Sequence, residues 1–131
     1  MPTNIIVNLP VKDLKNSMRF YEALGYKHKF ADETSALIVI SDTIYVMILT
    51  HAKFKEMTSK EIADATIVSE ALFSLSCENR DSVDDLVAKA LAAGGSKSDE
   101  PQDYGFMYQH GFHDPDGHMW GVLWMNPTAA Q

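Results

Sequence analysis

The chain has a single cysteine, Cys77. No internal disulfide can form, which fits a reducing cytoplasm. No apolar run approaches the roughly 20 residues a membrane-crossing helix needs. The start, Met1-Pro2-Thr3-Asn4, has no basic stretch ahead of an apolar one, so it does not read as a secretory signal. Basic residues are scarce, with 11 Lys and Arg against 18 Asp and Glu, and the formal charge is −7. Nucleic acid and anionic membrane both select clustered Lys and Arg, so neither is an expected partner. What is present is ordinary globular composition, 46% hydrophobic and 22% charged over 131 residues. That length suits one domain, residues 1–131, which buries about two-thirds of its unfolded surface without staples.

Apolar periodicity and turn residues divide the chain. Residues 4–10 predict a strand stopped by Pro10. Asp13 is the expected N-cap of a helix whose Leu14, Met18, Tyr21 and Leu24 share a face, and Gly25 stops it. Residues 26–31 predict a weak strand. Residues 36–40 and 44–50 predict strong ones, with a tight turn at Ser41-Asp42-Thr43. The polar stretch 51–68 reads as a linker between modules at about 1–50 and 69–127. Thr58 and Glu61 have capping-box spacing, which predicts a short helix over 59–64. The second module then repeats the plan. A strand at 71–77 precedes a helix capped by Asp81, with Val83, Leu86, Val87, Ala90 and Leu91 on its apolar face and Gly94-Gly95 at its end. A weak strand or loop runs through Pro101. Strands at 105–112 and 118–125 flank the turn Asp114-Pro115-Asp116-Gly117. The shared order of elements points to internal duplication.

Three segments carry a family resemblance: Val11-Lys12-Asp13-Leu14 through Ser17 to Phe20-Tyr21 and Leu24-Gly25; Ile44 to Leu49 ending in Thr50; and Phe112-His113-Asp114-Pro115-Asp116-Gly117-His118. With them the chain resembles the vicinal-oxygen-chelate superfamily of glyoxalase I, bleomycin-resistance proteins and extradiol dioxygenases. The resemblance implies an α+β fold of two βαβββ modules, an open, curled mixed-sheet barrel around a cleft with the helices outside. Metal-dependent members present one ligand from each of four strands. Counting from the shared motifs places those positions at Ile6, Ile48, Leu72 and Gly121. None of these can bind a metal, since zinc needs three or four N, O or S donors and the harder cations about six oxygens. Neither a metal nor another cofactor is therefore expected.

Residues two apart on a strand share a face. Counted from the four positions, the cleft gains Asn8, Thr50, Ser74 and Met119, and the strand before the last adds Met107 and Gln109. Val46, Gly111 and Leu123 complete the inward set. This describes an apolar pocket with polar handles at Asn8, Thr50, Ser74 and Gln109, the usual character of a small-molecule site. The opposite parity (Ile5, Val7, Tyr45, Met47, Phe73, Leu75, Trp120, Val122 and Trp124) is expected as core.

His110, His113 and His118 lie with Asp114 and Asp116 within nine residues. The residue types suit a metal. However, His110 and His113 have opposite parity and the aspartates belong to a turn, so a solvated turn with surface histidines is expected. His51 falls near the cleft mouth. Asp81, Asp84 and Asp85 are expected as a solvated first helical turn, and Cys77 as an inert buried thiol.

The function expected is metal-independent binding of a small, partly apolar molecule, as resistance proteins of the superfamily do by sequestration, in a cytoplasmic homodimer. The alternatives are a metal-dependent lyase or isomerase of glyoxalase I type, a metal-free enzyme, and a structural dimer with a vestigial cleft. No triad or carboxylate pair marks an enzyme.

Overall fold

The structure, a computed structural model, describes residues 3–128. It divides into two units, Met1–Ala63 and Asp64–Gln131. The boundary falls within the stretch 51–68. The first unit runs β1 (Ile5–Val11), α1 (Leu14–Ala23), β2 (Lys27–Ala31), β3 (Ser35–Val39), β4 (Ile44–Thr50) and α2 (His51–Lys55). The second runs β5 (Phe73–Ser76), α3 (Arg80–Ala92), β6 (Ser96–Lys97), β7 (Gln102–Asp103), β8 (Met107–His113) and β9 (Met119–Met125). The fold is α+β, with one mixed sheet of four strands and one of five. Among the described residues neither sheet closes into a barrel.

In the first sheet the order is β1-β4-β3-β2, with β1 parallel to β4 and the other pairs antiparallel. Asp13 caps α1 as expected, accepting from the Asn16 backbone N–H at 3.0 Å. Gly25 leaves the helix at φ 103°, which glycine alone adopts without strain. Pro10 does not stop β1. That strand lies at the sheet edge, where a residue without an N–H need not break a ladder. Leu9, Val11, Ala36, Ile38, Val46 and Ile48 are buried on the face beneath α1, opposite its Leu14, Phe20 and Tyr21. Side-chain contact ties this face to the helix: His28, the register partner of Ile38, reaches Glu22 of α1 at 3.1 Å.

The expected helix over 59–64 is absent, and α2 begins eight residues earlier. Thr50 is its N-cap, accepting from Lys53 N at 3.2 Å. Thr58 instead closes a local turn by accepting from Lys60 N. No apolar stripe follows Thr58, so its capping-box spacing has no helix to start.

The second sheet has the order β5-β9-β8-β6, with β7 also on β8. Its α3 is capped by Asn79, which accepts from Ser82 N at 2.8 Å, and not by Asp81. Asp81 lies in the first turn, where its charge suits the helix dipole. Val83, Val87 and Ala90 of α3 are buried, as are Phe112, Trp120 and Val122 on the sheet face beneath it. The turn between β8 and β9 is fastened by Asp114, whose Oδ1 accepts from Asp116 N at 3.0 Å and His118 N at 2.9 Å. Gly117 has φ 91°, and a Cβ there would lie 2.8 Å from Thr66 N, so the 65–66 backbone presses directly on the turn. This corrects the expectation of a solvated turn with surface histidines. Asp114 and His118 are buried, and the His110 side chain is 11% exposed.

Candidate functional site

Ile6 and Ile48 were expected on one face, but the register places them on opposite faces. Residues directly paired across a ladder share a face. Ile6 pairs with Tyr45 and Asn8 with Met47, whereas Leu9 pairs with Ile48 and Val11 with Thr50. Ile48 and Val46 therefore belong to the fully buried face under α1, and Thr50 is the α2 cap. The first-unit candidates split accordingly. Ile6 is about half exposed, and Asn8 is half-buried and donates to the Ile6 carbonyl at 3.4 Å. Tyr45 and Met47, assigned to the core face, share the face of Ile6 and Asn8 instead.

In the second unit the expected parity matches the register throughout. Gly121 is paired with Ser74 on one side and Gly111 on the other, and Gln109 with Leu123. The sheet carries a pocket of about 160 Å³ on this face. Leu72, Ser74, Gln109, Met119, Gly121 and Leu123 line it, together with Ser98, Asp99, Glu100 and Gln102 of the segment after β6, and Phe73, His110 and Val122 of the opposite parity border it too. Met107 shares the face, opposite Met125, but does not line the pocket. The segment 98–102 was missed by sequence reasoning. It follows a two-residue strand, carries no regular alternation and reads as a linker.

Gly121 leaves part of the pocket floor without a side chain, while its register partner Gly111 is buried beside it. A Cβ on Gly111 would lie 2.6 Å from Ser98 Oγ, and one on Gly121 would lie 3.1 Å from Ser74 Oγ. The Gln109 amide donates to Gln102 Oε1 at 3.1 Å, and the Tyr104 hydroxyl bonds the same oxygen. Lys97 holds the Glu100 carboxylate at 2.6 Å and keeps its pKa below the usual carboxylate value. Asp99 is the other charged lining residue.

Chemistry-bearing side chains also gather on the α3 side of the sheet. The Tyr108 hydroxyl donates to Asp84 Oδ1 at 2.6 Å, and this bond to a carboxylate pushes its pKa up to about 12. Asp84 is thus engaged and is not part of a merely solvated turn. His110 Nδ1 lies 3.9 Å from the same carboxylate oxygen, and both ring nitrogens are buried without a hydrogen-bond partner. Arg80 pairs with Asp103, donates to the Gly105 carbonyl at 3.1 Å and lies over the rings of Tyr108 and Trp124. The Arg80 hydrogen bond, with a second from Gly105 N, holds the Asp103 carboxyl below its ordinary pKa. Burial raises the Cys77 thiol. His51 is exposed at the start of α2.

The residues present do not fit a metal. Leucine, isoleucine and glycine offer no donor, and shifting the first-unit count by one residue brings Met47 or Leu49 beside Ile6 and Asn8. Among the described residues, no three His, Cys, Asp or Glu side chains are placed to hold one ion.

The family model described as the Glyoxalase/Bleomycin resistance protein/Dioxygenase superfamily matches residues 5–122. The chain belongs to this superfamily. Among solved structures, this superfamily member is similar to a hypothetical protein from S. aureus, at 31% identity over 94% of each chain and a TM-score of 0.81. A glyoxalase/bleomycin resistance protein/dioxygenase family enzyme from Burkholderia phytofirmans is 18% identical, covers 92% of this chain and 96% of its own, and has a TM-score of 0.77. A fosfomycin resistance protein from Listeria monocytogenes is 14% identical over 100% and 99%, with a TM-score of 0.71. At these last two identities the likeness is one of fold. No curated protein matches the sequence. Among the described residues, no helix is long and apolar enough to cross a membrane.

Proposed function

We propose that this superfamily member binds a small, partly apolar molecule without a metal, in the pocket of the second unit. The observation that carries the reading is the pocket itself. Leu72, Met119 and Leu123 supply apolar walls, Gly121 supplies room, and Ser74, Gln102 and Gln109 supply uncharged polar groups. A few placed polar groups in an apolar concavity are what orient a small ligand. Among the described residues, no hydrogen-bonded nucleophile–base pair lines the pocket, which favours binding over turnover. The reading includes a homodimer, as the resistance proteins form, and a cytoplasmic location suited to the free thiol of Cys77.

The test begins with elemental analysis of tag-free protein after exposure to Zn²⁺, Ni²⁺, Mn²⁺ and Fe²⁺. Calorimetric titration with a panel of small aromatic and thioether compounds, with and without EDTA, follows. Saturable binding unchanged by EDTA is expected. Near-stoichiometric retained metal, or binding that EDTA abolishes, would overturn metal independence and revive the glyoxalase-type lyase. Product formation that survives EDTA would make the protein a metal-free enzyme.

A further inference from the structure

The pocket's geometry narrows the ligand class, an inference that rests on the binding reading above. Gly111 and Gly121 face each other across β8 and β9. Gly121 lines the pocket, so a short flat shelf of backbone lies open there, whereas Gly111 is buried. Ser74 Oγ borders the shelf beside Gly121, and Ser98 Oγ overlies Gly111. Neither hydroxyl has a hydrogen-bond partner among the described residues. Gln109 stands one same-face step, roughly 7 Å, from Gly111 along β8. Both hydrogen bonds at the glutamine pair use Gln102 Oε1. This leaves Gln109 Oε1 as a free acceptor and Gln102 Nε2 as a free donor, side by side at the pocket wall.

We propose that the pocket selects a single flat ring bearing a carboxamide- or lactam-type edge, and rejects anions. Three observations converge on this class. A space of about 160 Å³ is large enough for one benzene-sized ring, which fits into roughly 150 Å³. The shelf offers a flat surface for the ring, with the Ser74 hydroxyl at its border. The glutamine pair then meets an amide edge donor to acceptor and acceptor to donor, satisfying both partners at once. Among the described residues, an anion finds no Lys or Arg on the lining. Lys97 is engaged by Glu100, the Asp99 carboxylate repels, and the chain carries −7 overall. His110 also borders the pocket, but its register places its side chain on the α3 side of the sheet, beside Asp84.

The test uses three ligands of one shape, benzamide, acetophenone and benzoate, titrated into ¹⁵N-labelled full-length protein. Benzamide is expected to move the amide resonances of Ser74, Gln109 and Gly121, and to bind about tenfold more tightly than acetophenone, which lacks the donor. Benzoate is expected to leave those resonances in place. Acetophenone binding as tightly as benzamide overturns the donor–acceptor edge, and benzoate binding there overturns the exclusion of anions. In either case binding itself stands. Failure of all three at these residues overturns the ligand class, while the binding reading falls only if the wider panel fails too. Gly121→Val, which fills the shelf, is expected to weaken benzamide at least about tenfold. Ser74→Ala, at an exposed position with no hydrogen bond to lose, keeps the fold and is expected to weaken benzamide about threefold. Full affinity in both variants places the ring elsewhere and overturns the proposal.

Discussion

The two units repeat one plan of strand, capped helix and strands, yet they use the sheet face turned away from that helix differently. In the first unit that face carries Ile6, Leu37, Val39, Tyr45, Met47 and Leu49, large apolar or aromatic side chains, with Asn8 and Ser35 among them. In the second it carries Ser74, Gly111 and Gly121 at its centre, and a pocket stands there. The covered faces differ in the reverse sense. The first is apolar along β3 and β4 up to the cap at Thr50. The second admits Tyr108 and His110 beneath α3. Within one duplicated architecture, the second half thus carries both a hollow and a buried polar cluster.

Substitutions can break or sharpen this contrast. The largest effect is expected in the first unit, where Ile48→Ala should cost about 2–5 kcal/mol in chemical denaturation because Ile48 is fully buried under α1. Ile6→Ala, on the other face and half exposed, should cost less than about 1 kcal/mol. Equal costs would refute the assignment of faces. Next comes the β8–β9 turn. Asp114→Ala removes an acceptor of two backbone N–H groups in a buried setting, so a loss of about 1–3 kcal/mol is expected in the same assay.

The covered face of the second unit should respond in the opposite direction. His110→Leu replaces two unpartnered buried nitrogens with hydrocarbon, and a gain of about 1–2 kcal/mol is expected. A loss would mean that His110 makes a contact the folded chain needs. Tyr108 offers a spectroscopic check. Its folded pKa lies above the unfolded value, so its contribution to stability is fully present below about pH 10. That contribution is lost as pH rises through about 12. Ultraviolet titration of the phenolates should show one of the five tyrosines ionising late, and Asp84→Asn should bring it back toward 10. The smallest effect is at Cys77, whose raised pKa predicts slower reaction with a disulfide reagent than a free thiol at the same pH.

The same contrast explains which features were legible in the sequence. Along β8 and β9 the motif Asp114-Pro115-Asp116-Gly117 fixes the hairpin register to the residue, so parity carried across it named Gln109, Met119 and Gly121 as lining residues. β1 and β4 are parallel strands separated by more than thirty residues, and no turn joins them directly. Their faces had to be counted from two independent motifs, and a one-residue slip moves a whole strand to the other face. That is how Ile48 came to be placed beside Ile6. The helix at 51–55 was hidden because its cap, Thr50, also ends a strand. The pocket wall at 98–102 follows no period at all, and tertiary pairing with β8 alone brings it into place.

Pro10 has a consequence beyond the topology of its strand. β1 lies at the margin of its sheet, and an unpaired row of backbone donors and acceptors is a template on which a foreign strand can grow. A proline within that row removes one donor and stiffens the chain around it. The feature that fails to end the strand therefore guards it, making this margin a poor seed for runaway aggregation at high concentration.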